Sequence, residues 1–126
     1  MYPFPPKDEI VFLVGDTLTA VCLNPSNVNF IFESGSCINA EYAIAHEMSA
    51  DVSHRYDVQQ TLGPGPLYFH QLVGKQVLNL VVAETTLKLE FDNGEALIIE
   101  GDIGPYESGQ ISRGKLGEPD FIFIVF

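Results

Sequence analysis

The sequence predicts an all-β protein: a single domain, residues 1–126, built from two tandem antiparallel β-meander repeats that form a pseudo-two-fold barrel or sandwich. Three observations favour this fold: an internal repeat, segments in which apolar and polar residues alternate, and turn-forming residues between those segments. The repeat has a period of about 59 residues, which places Leu13-Val14-Gly15 on Leu72-Val73-Gly74 without a gap. The two copies span about residues 10–58 and 69–117, and a closing strand follows at residues 120–126.

The match between the copies extends well beyond the Leu-Val-Gly motif. The other paired positions are Leu18 with Val77, Val21 with Leu80, Val28 with Leu87, Phe30 with Leu89, Phe32 with Phe91, Gly35 with Gly94, Ile38 with Leu97, Glu41 with Glu100 and Ile44 with Ile103. A gapless register over more than 30 positions is hard to obtain by chance. We therefore expect the matched apolar positions to face one shared core.

The composition is that of a folded, acidic protein. Of 126 residues, 46% are hydrophobic and 18% are charged, and 17 acidic residues outnumber 6 basic ones, for a formal net charge of −11. Such a surface repels nucleic acid phosphates and anionic lipid heads, which argues against both kinds of partner. The charge instead favours a basic partner or a cation, with simple solubility as the alternative.

The first copy is predicted to begin with an extended segment and a hairpin. Residues 1–7 contain three prolines and cannot form a helix or a central strand. Strands are expected at residues 17–23 and 28–32, where the residue pattern is typical of strands, with Asn24-Pro25-Ser26-Asn27 as the loop between them. Another hairpin turn is expected at Gly35.

The rest of the first copy is predicted to add two more strands. Residues 38–48 contain good helix formers, but apolar residues recur there at every second position. The matching residues 97–103 are also rich in β-forming side chains. We therefore predict one strand over residues 38–48 and another over residues 52–58.

The second copy repeats this order after a linker. Leu62-Gly63-Pro64-Gly65-Pro66 cannot continue a β-ladder. Strands are expected near residues 75–82 and at residues 87–91, 95–101 and 106–112, with a break at residues 102–105 and a glycine-rich loop at residues 113–119. Asp92-Asn93-Gly94 predicts a tight hairpin turn, because Asn-Gly tolerates positive φ angles.

The chain ends in six apolar residues, 121–126, which run from Phe121 to Phe126. Odd- and even-numbered residues of a strand point to opposite faces of the sheet, and here both sets are apolar. This predicts a strand that is covered on both faces. An exposed edge strand of this composition would promote aggregation. We expect this segment either inside the fold or in a subunit interface, which makes a homodimer through residues 121–126 one prediction.

The cysteines predict a reducing location. Cys22 and Cys37 are expected on strands separated by a third strand, about 9–10 Å apart at the ~4.8 Å strand spacing. Such a separation exceeds the ~7 Å limit on Cα distance for a disulfide. No secretory signal is recognisable at the N-terminus, and no apolar run approaches the ~20 residues that span a bilayer. We therefore expect a cytoplasmic protein with reduced thiols.

The three histidines suggest one candidate metal site. A turn centred on Ala50 would make His46 and His54 cross-strand neighbours, with Cβ atoms ~4.5–5.5 Å apart. Glu47, Asp51 or His70 could then complete the three or four ligands that zinc requires. The alternative is that both histidines are packing or rim residues. The repeat favours this alternative, because it places Pro105 and Arg113 at the two corresponding positions.

No residue set predicts an enzyme or a cofactor. Glu41 and Glu100 could in principle form a two-carboxylate acid–base pair, but solvent-facing strand residues explain them better. Ser108 lacks the residues of a nucleophile elbow. The prolines beside Gly63 and Gly65 remove backbone donors that a phosphate would need. We therefore expect no catalytic residue, cofactor or metal.

The chain resembles an uncharacterised bacterial family of acidic, two-repeat all-β domains. The resemblance rests on Leu72-Val73-Gly74-Lys75-Gln76-Val77 and on Leu87-x-Leu89-x-Phe91-x-x-Gly94-x-x-Leu97. Tyr106-Glu107-Ser108-Gly109 is similar to the family's Tyr-Glu-x-Trp segment, with Gly109 in place of the tryptophan. The resemblance covers most of residues 13–126 and implies an all-β fold with no known activity.

These observations lead to two hypotheses about function. The first is a non-enzymatic binding or interaction module, such as an immunity-type protein whose acidic face covers a basic partner; the immunity role is an analogy with other small acidic proteins. The second is a small-molecule- or metal-binding β-domain with a pocket between the repeats.

Overall fold

The computed structural model describes residues 2–102, 104 and 106–126, and these form an all-β protein. Its strands are β1 (Leu18–Leu23), β2 (Val28–Phe32), β3 (Cys37–Ala40), β4 (Ala43–Glu47), β5 (Ser53–Asp57), β6 (Val77–Val82), β7 (Thr86–Phe91), β8 (Ala96–Glu100), β9 (Gly109–Arg113) and β10 (Ile122–Val125). The short helices are α1 (Lys7–Ile10) and 3-10 turns at Val11–Leu13, Val58–Gln60 and Phe69–Leu72. None of the helices among the described residues has the length and apolar character needed to cross a membrane.

The strands form two five-stranded antiparallel sheets. The first sheet has the order β1-β2-β3-β9-β10, and the second has the order β5-β4-β8-β7-β6. Each sheet therefore combines three consecutive strands from one half of the chain with a hairpin from the other half. The junctions are β3 with β9 and β8 with β4, so the two halves exchange their hairpins.

Hydrogen bonds near the starts of β1 and β6 recur with the spacing of the sequence repeat. The Gly15 N–H donates to Val77 O at 2.7 Å, and the Gly74 N–H donates to Leu18 O at 2.7 Å. Both hairpin turns recur as well, with positive φ angles of 92° at Gly35 and 85° at Gly94. The elements thus repeat, while the tandem duplication and its closure into a barrel or sandwich stay predictions.

The two sheets contribute to one hydrophobic core. Buried residues at matched positions of the repeat include Leu13 and Leu72, Leu18 and Val77, Val28 and Leu87, Phe30 and Leu89, Phe32 and Phe91, and Ile38 and Leu97. Strand alternation explains this, since β2 and β7 bury every second side chain. Ile103, the predicted match of the buried Ile44, lies outside the described residues.

Residues 38–48 form two strands, so the prediction of one continuous strand was wrong. β3 ends at Ala40 and β4 begins at Ala43, with Glu41 and Tyr42 between them. β3 lies in the first sheet and β4 in the second, so the chain changes sheets at this point. The alternation of residues cannot reveal this change of sheet, because every second residue stays apolar from the end of β3 into β4.

The gapless repeat ends after β8, because the second half has extra residues before β9. The strand predicted at residues 106–112 is β9, Gly109–Arg113. Ile111 lies opposite Ile38 in β3, as His46 lies opposite Leu97 in β8. By strand pairing, Ile111 therefore corresponds to His46; Pro105, which the sequence placed there, lies outside the described residues.

The closing strand β10 is at the edge of the first sheet, so of the two alternatives predicted for it the interior position is wrong, while the subunit interface stays a prediction. Among the described residues, β9 is its one paired strand. Phe126 is fully buried and stacks on Phe4 with ring centroids 4.3 Å apart, whereas the Phe123 side chain is exposed. The segment therefore anchors its C-terminal end in the core and leaves a strand edge open.

Candidate functional site

The outer side of the second sheet contains an open depression of about 520 Å³. We call it the acidic trough and define it by Glu47, Glu90, Glu95, Lys88 and Leu78, all of which line it. Three glutamates and one lysine are among its lining residues, so the lining is net negative. Leu78 adds an apolar side chain that is 58% exposed.

Strand register explains why the trough opens here. Glu90 on β7 and Glu47 on β4 both lie opposite Ala96 on the intervening β8. The two glutamate backbones are therefore two strand spacings apart, or about 9–10 Å. The small Ala96 side chain between them leaves the space that a larger residue would fill.

Each carboxylate of the trough has a neighbouring donor. The Lys88 Nζ lies 3.3 Å from Glu47 Oε2. The Asn79 Nδ2 donates to Glu90 Oε1 at 3.0 Å, and the Asn93 Nδ2 donates to Glu95 Oε2 at 2.9 Å. Two of these donors are neutral amides, which orient carboxylates without cancelling their charge. Carboxylates oriented in this way can accept charge-assisted hydrogen bonds from cationic groups.

A buried histidine joins the trough to the core. The His46 side chain is fully buried and its Nε2 lies 2.6 Å from Glu95 Oε1. Its ring stacks on Phe69 at a centroid distance of 5.7 Å. Burial lowers the pKa of His46, and the nearby Glu95 carboxylate opposes that shift. Burial thus favours the neutral form of the ring, and its Nδ1 is buried without a hydrogen-bond partner among the described residues.

The predicted pairing of His46 with His54 is confirmed, but the two rings have different surroundings. His54 lies opposite His46 on β5, and its ring is 5.4 Å from the Tyr68 ring. Strand pairing places Ile124, not Arg113, at the position corresponding to His54, because Ile124 lies opposite Ile111.

The candidate metal ligands are not brought together into a group. Within residues 2–102, 104 and 106–126, no three His, Cys, Asp or Glu side chains form a cluster that could hold a metal ion. His46 contacts Glu95 instead of Glu47, Asp51 or His70. Sequence reasoning missed Glu95, which follows the Asn93-Gly94 turn and reaches His46 only because β8 pairs with β4.

Glu41 and Glu100 interact with different partners. The Arg55 Nε donates to Glu100 Oε2 at 3.0 Å. Glu41 lies next to Gln110, which also donates to Glu107 Oε2 at 2.7 Å. Burial raises the pKa of Glu41, and the Glu107 carboxylate raises it further. Both glutamates thus take part in structural contacts of the sheets.

Ser108 and the two cysteines occupy structural positions. The buried Ser108 Oγ accepts a hydrogen bond from the Asp102 N–H at 3.0 Å, which ties down the connection before β9. Cys22 and Cys37 are both free thiols, as predicted. Burial raises the pKa of Cys37, which lowers its fraction of reactive thiolate.

A smaller cleft of about 280 Å³ lies beside the end of β1. We call it the apolar cleft; its lining residues are Val21, Leu23, Leu67, Phe69, His70 and Val73. Five of these six side chains are apolar, and the imidazole of His70 is the polar group. Such a surface can take a small apolar molecule that carries one polar or anionic group.

Comparison with protein-family models, with curated proteins and with solved structures finds no match for the chain. The resemblance to an acidic two-repeat family therefore stays a prediction.

Proposed function

We propose that the protein is a non-enzymatic interaction module whose acidic trough binds a basic surface of a partner protein. The observation that carries the proposal is that three glutamates and a single lysine line the trough, next to exposed Leu78. An apolar side chain amid charges is typical of a protein interface, where the apolar contact supplies affinity and the charges supply steering. The net charge of −11 extends this field beyond the trough.

The partner chemistry follows from the geometry of the trough. Glu47 and Glu90 stand about 9–10 Å apart across Ala96, so two lysine or arginine side chains can approach them separately. A partner strand or helix with a basic residue on each side of an apolar one would fit this arrangement. An immunity-type role, in which a small acidic protein covers a basic toxin, is one form of this proposal.

Two further aspects are part of the same proposal. A non-enzymatic role is supported by the structural hydrogen bonds and ion pairs that engage Glu100 and Ser108. A cytoplasmic location is supported by the free thiols of Cys22 and Cys37, which lie on β1 and β3 with β2 between them.

The test compares two variants with the same net charge. Glu47→Gln with Glu90→Gln removes two charges from the trough, and Glu33→Gln with Glu118→Gln removes two exposed charges elsewhere. At low salt, we expect the wild type and the control to retain the same basic proteins from the native lysate, and the trough variant to lose them. High salt should release them from all three. Equal retention by the two variants would refute the proposal.

The apolar cleft favours a second candidate function, the binding of a small aromatic or aliphatic acid. The cleft supplies apolar walls, and His70 lies where it could pair with a carboxylate. Titration with a panel of such acids should shift the methyl NMR signals of Val21, Leu67 and Val73. If no compound perturbs these methyl groups at millimolar concentration, this candidate is withdrawn.

A further inference from the structure

The edge strand β10 differs from the other three edge strands of the two sheets. β1 has a register irregularity between Leu18 and Ala20, and β6 has one at the corresponding place. β5 carries Arg55 and Asp57. Bulges and charges of this kind prevent a free edge from pairing with another strand. β10 has the sequence Ile-Phe-Ile-Val, with no charge, no proline and a regular register throughout its pairing with β9.

The register of β10 shows which backbone groups are open. Gly109 and Phe126 exchange both backbone hydrogen bonds, at 3.2 and 3.0 Å. Hydrogen-bonded and non-hydrogen-bonded pairs alternate along an antiparallel ladder. Ile124 therefore directs its N–H and C=O toward β9, while Phe123 and Val125 direct theirs toward the free edge.

The two open residues lie symmetrically about Ile124. If a second copy of β10 approaches antiparallel with the two Ile124 residues opposite each other, Phe123 of each copy faces Val125 of the other. Each such pair exchanges two hydrogen bonds, so the two copies form about four in total. The edge is therefore complementary to itself.

The charge distribution permits this contact between two like-charged molecules. Two chains of formal charge −11 repel each other over most of their surfaces. Among the five strands of the first sheet, all of which the structure describes, Arg113 is the only charged residue, and its guanidinium lies over the Phe12 ring at 5.4 Å. The β10 edge thus lies in the one sheet whose strands carry almost no charge.

We propose that two copies of the chain form a dimer through β10, with a two-fold axis at Ile124 and the two first sheets joined into one continuous sheet. Phe123, 58% exposed in the single chain, packs across the junction against Val125 of the second copy. This interface is separate from the acidic trough and does not depend on the function proposed for it. Salt strengthens the dimer by screening the repulsion of the two chains, whereas it weakens the binding of a basic partner.

Sedimentation equilibrium over a range of protein concentrations tests the dimer with a matched control. Phe123→Lys should weaken dimerisation by about 30-fold or more, because it places two lysines at the centre of the interface. Val81→Lys is the control, since Val81 is 48% exposed and lies on β6, an edge strand of the second sheet, outside the acidic trough. It should dimerise as the wild type does. A wild type that stays monomeric at all concentrations, or equal dimerisation by the two variants, would overturn the proposal.

Hydrogen exchange of the wild-type protein gives an independent test that does not rely on a folded variant. The amides of Phe123 and Val125 should become protected as the protein concentration rises, while those of Ile122 and Ile124 should already be protected in the monomer. If a dimer forms without added protection at Phe123 and Val125, its interface lies elsewhere and β10 pairing is wrong.

Discussion

Replacing Gly109 with alanine tests the junction at which the second half of the chain joins the first sheet. Gly109 begins β9 and lies opposite Ala40 on β3. A Cβ atom at Gly109 would overlap the backbone oxygen of Asn39 and would lie 2.5 Å from Cζ of the Phe126 ring. The first contact is with the backbone of a paired strand, so it cannot be relieved by a side-chain rotation.

The loss of stability expected for Gly109→Ala follows from the atoms that the new methyl group would displace. Overpacking of a close-packed site costs ~1–3 kcal/mol. Separating β9 from β3 at this point also weakens one or two backbone hydrogen bonds, each worth about 1 kcal/mol. We therefore expect Gly109→Ala to lower the free energy of unfolding by about 3 kcal/mol, and the melting temperature by about 10 °C for a domain of this size.

Urea denaturation and thermal unfolding measure the effect, with Gly65→Ala as the control. A Cβ at Gly65 would meet no atom within 4 Å. Alanine there should change stability by less than ~1 kcal/mol, because its main effect is on the unfolded chain. If Gly109→Ala is as stable as Gly65→Ala, the close approach of β9 to β3 and Phe126 does not exist as described.

Two other substitutions test the burial of His46 beneath the trough and the hydrogen bond from Tyr56 to the linker. Because burial lowers the pKa of His46 from 6.5, the unfolded chain takes up its proton more readily, and the free energy of unfolding should fall as the pH drops below about 6.5. His46→Leu should reduce this fall in urea titrations above and below that pH, whereas the exposed His70→Gln should keep it; equal pH dependence in both would contradict the assignment. Tyr56→Phe should cost about 1 kcal/mol, since its hydroxyl donates to Pro66 O at 2.9 Å. Tyr106→Phe, at a side chain that is 82% exposed, should cost nothing measurable in the same thermal melts, and an equal loss in both variants would argue against the linker contact.

Local sequence signals were sufficient for most of the strands. Alternation identified β2 and β7 within a residue of their ends, and the Asn93-Gly94 turn fell where the backbone requires positive φ. The repeat correctly identified matched core positions such as Val28 and Leu87. Each of these features depends on residues that are close in sequence or on a pattern repeated in register.

The features that were missed depend on contacts between distant parts of the chain. The break at Glu41 and Tyr42 arises because the chain leaves one sheet for the other, which does not disturb the apolar alternation. The edge position of β10 is set by its pairing with β9 and by the pairing of β9 with β3. No local pattern indicates that β3, from the first half of the chain, should pair with β9, from the second half.

In the candidate site, too, the sequence predicted a local contact and missed a long-range one. The cross-strand position of His46 and His54 followed from the turn between β4 and β5. The contact of His46 with Glu95 did not, because it joins β4 to a turn 49 residues further along the chain. Its one available signal was a histidine at a position where the other half has Ile111, and that comparison required the correct strand pairing.

The crossed arrangement of the hairpins has a consequence for how the protein can be made. A fragment that stops in the linker would leave β3 without its neighbour β9, and its own β4–β5 hairpin would have no β8 to join. The second sheet is complete only after β8 has been synthesised, and the first only after β10, so we expect the nascent first half to have unpaired strand edges until then. Each half thus supplies strands to the sheet of the other, and we expect neither half to fold by itself.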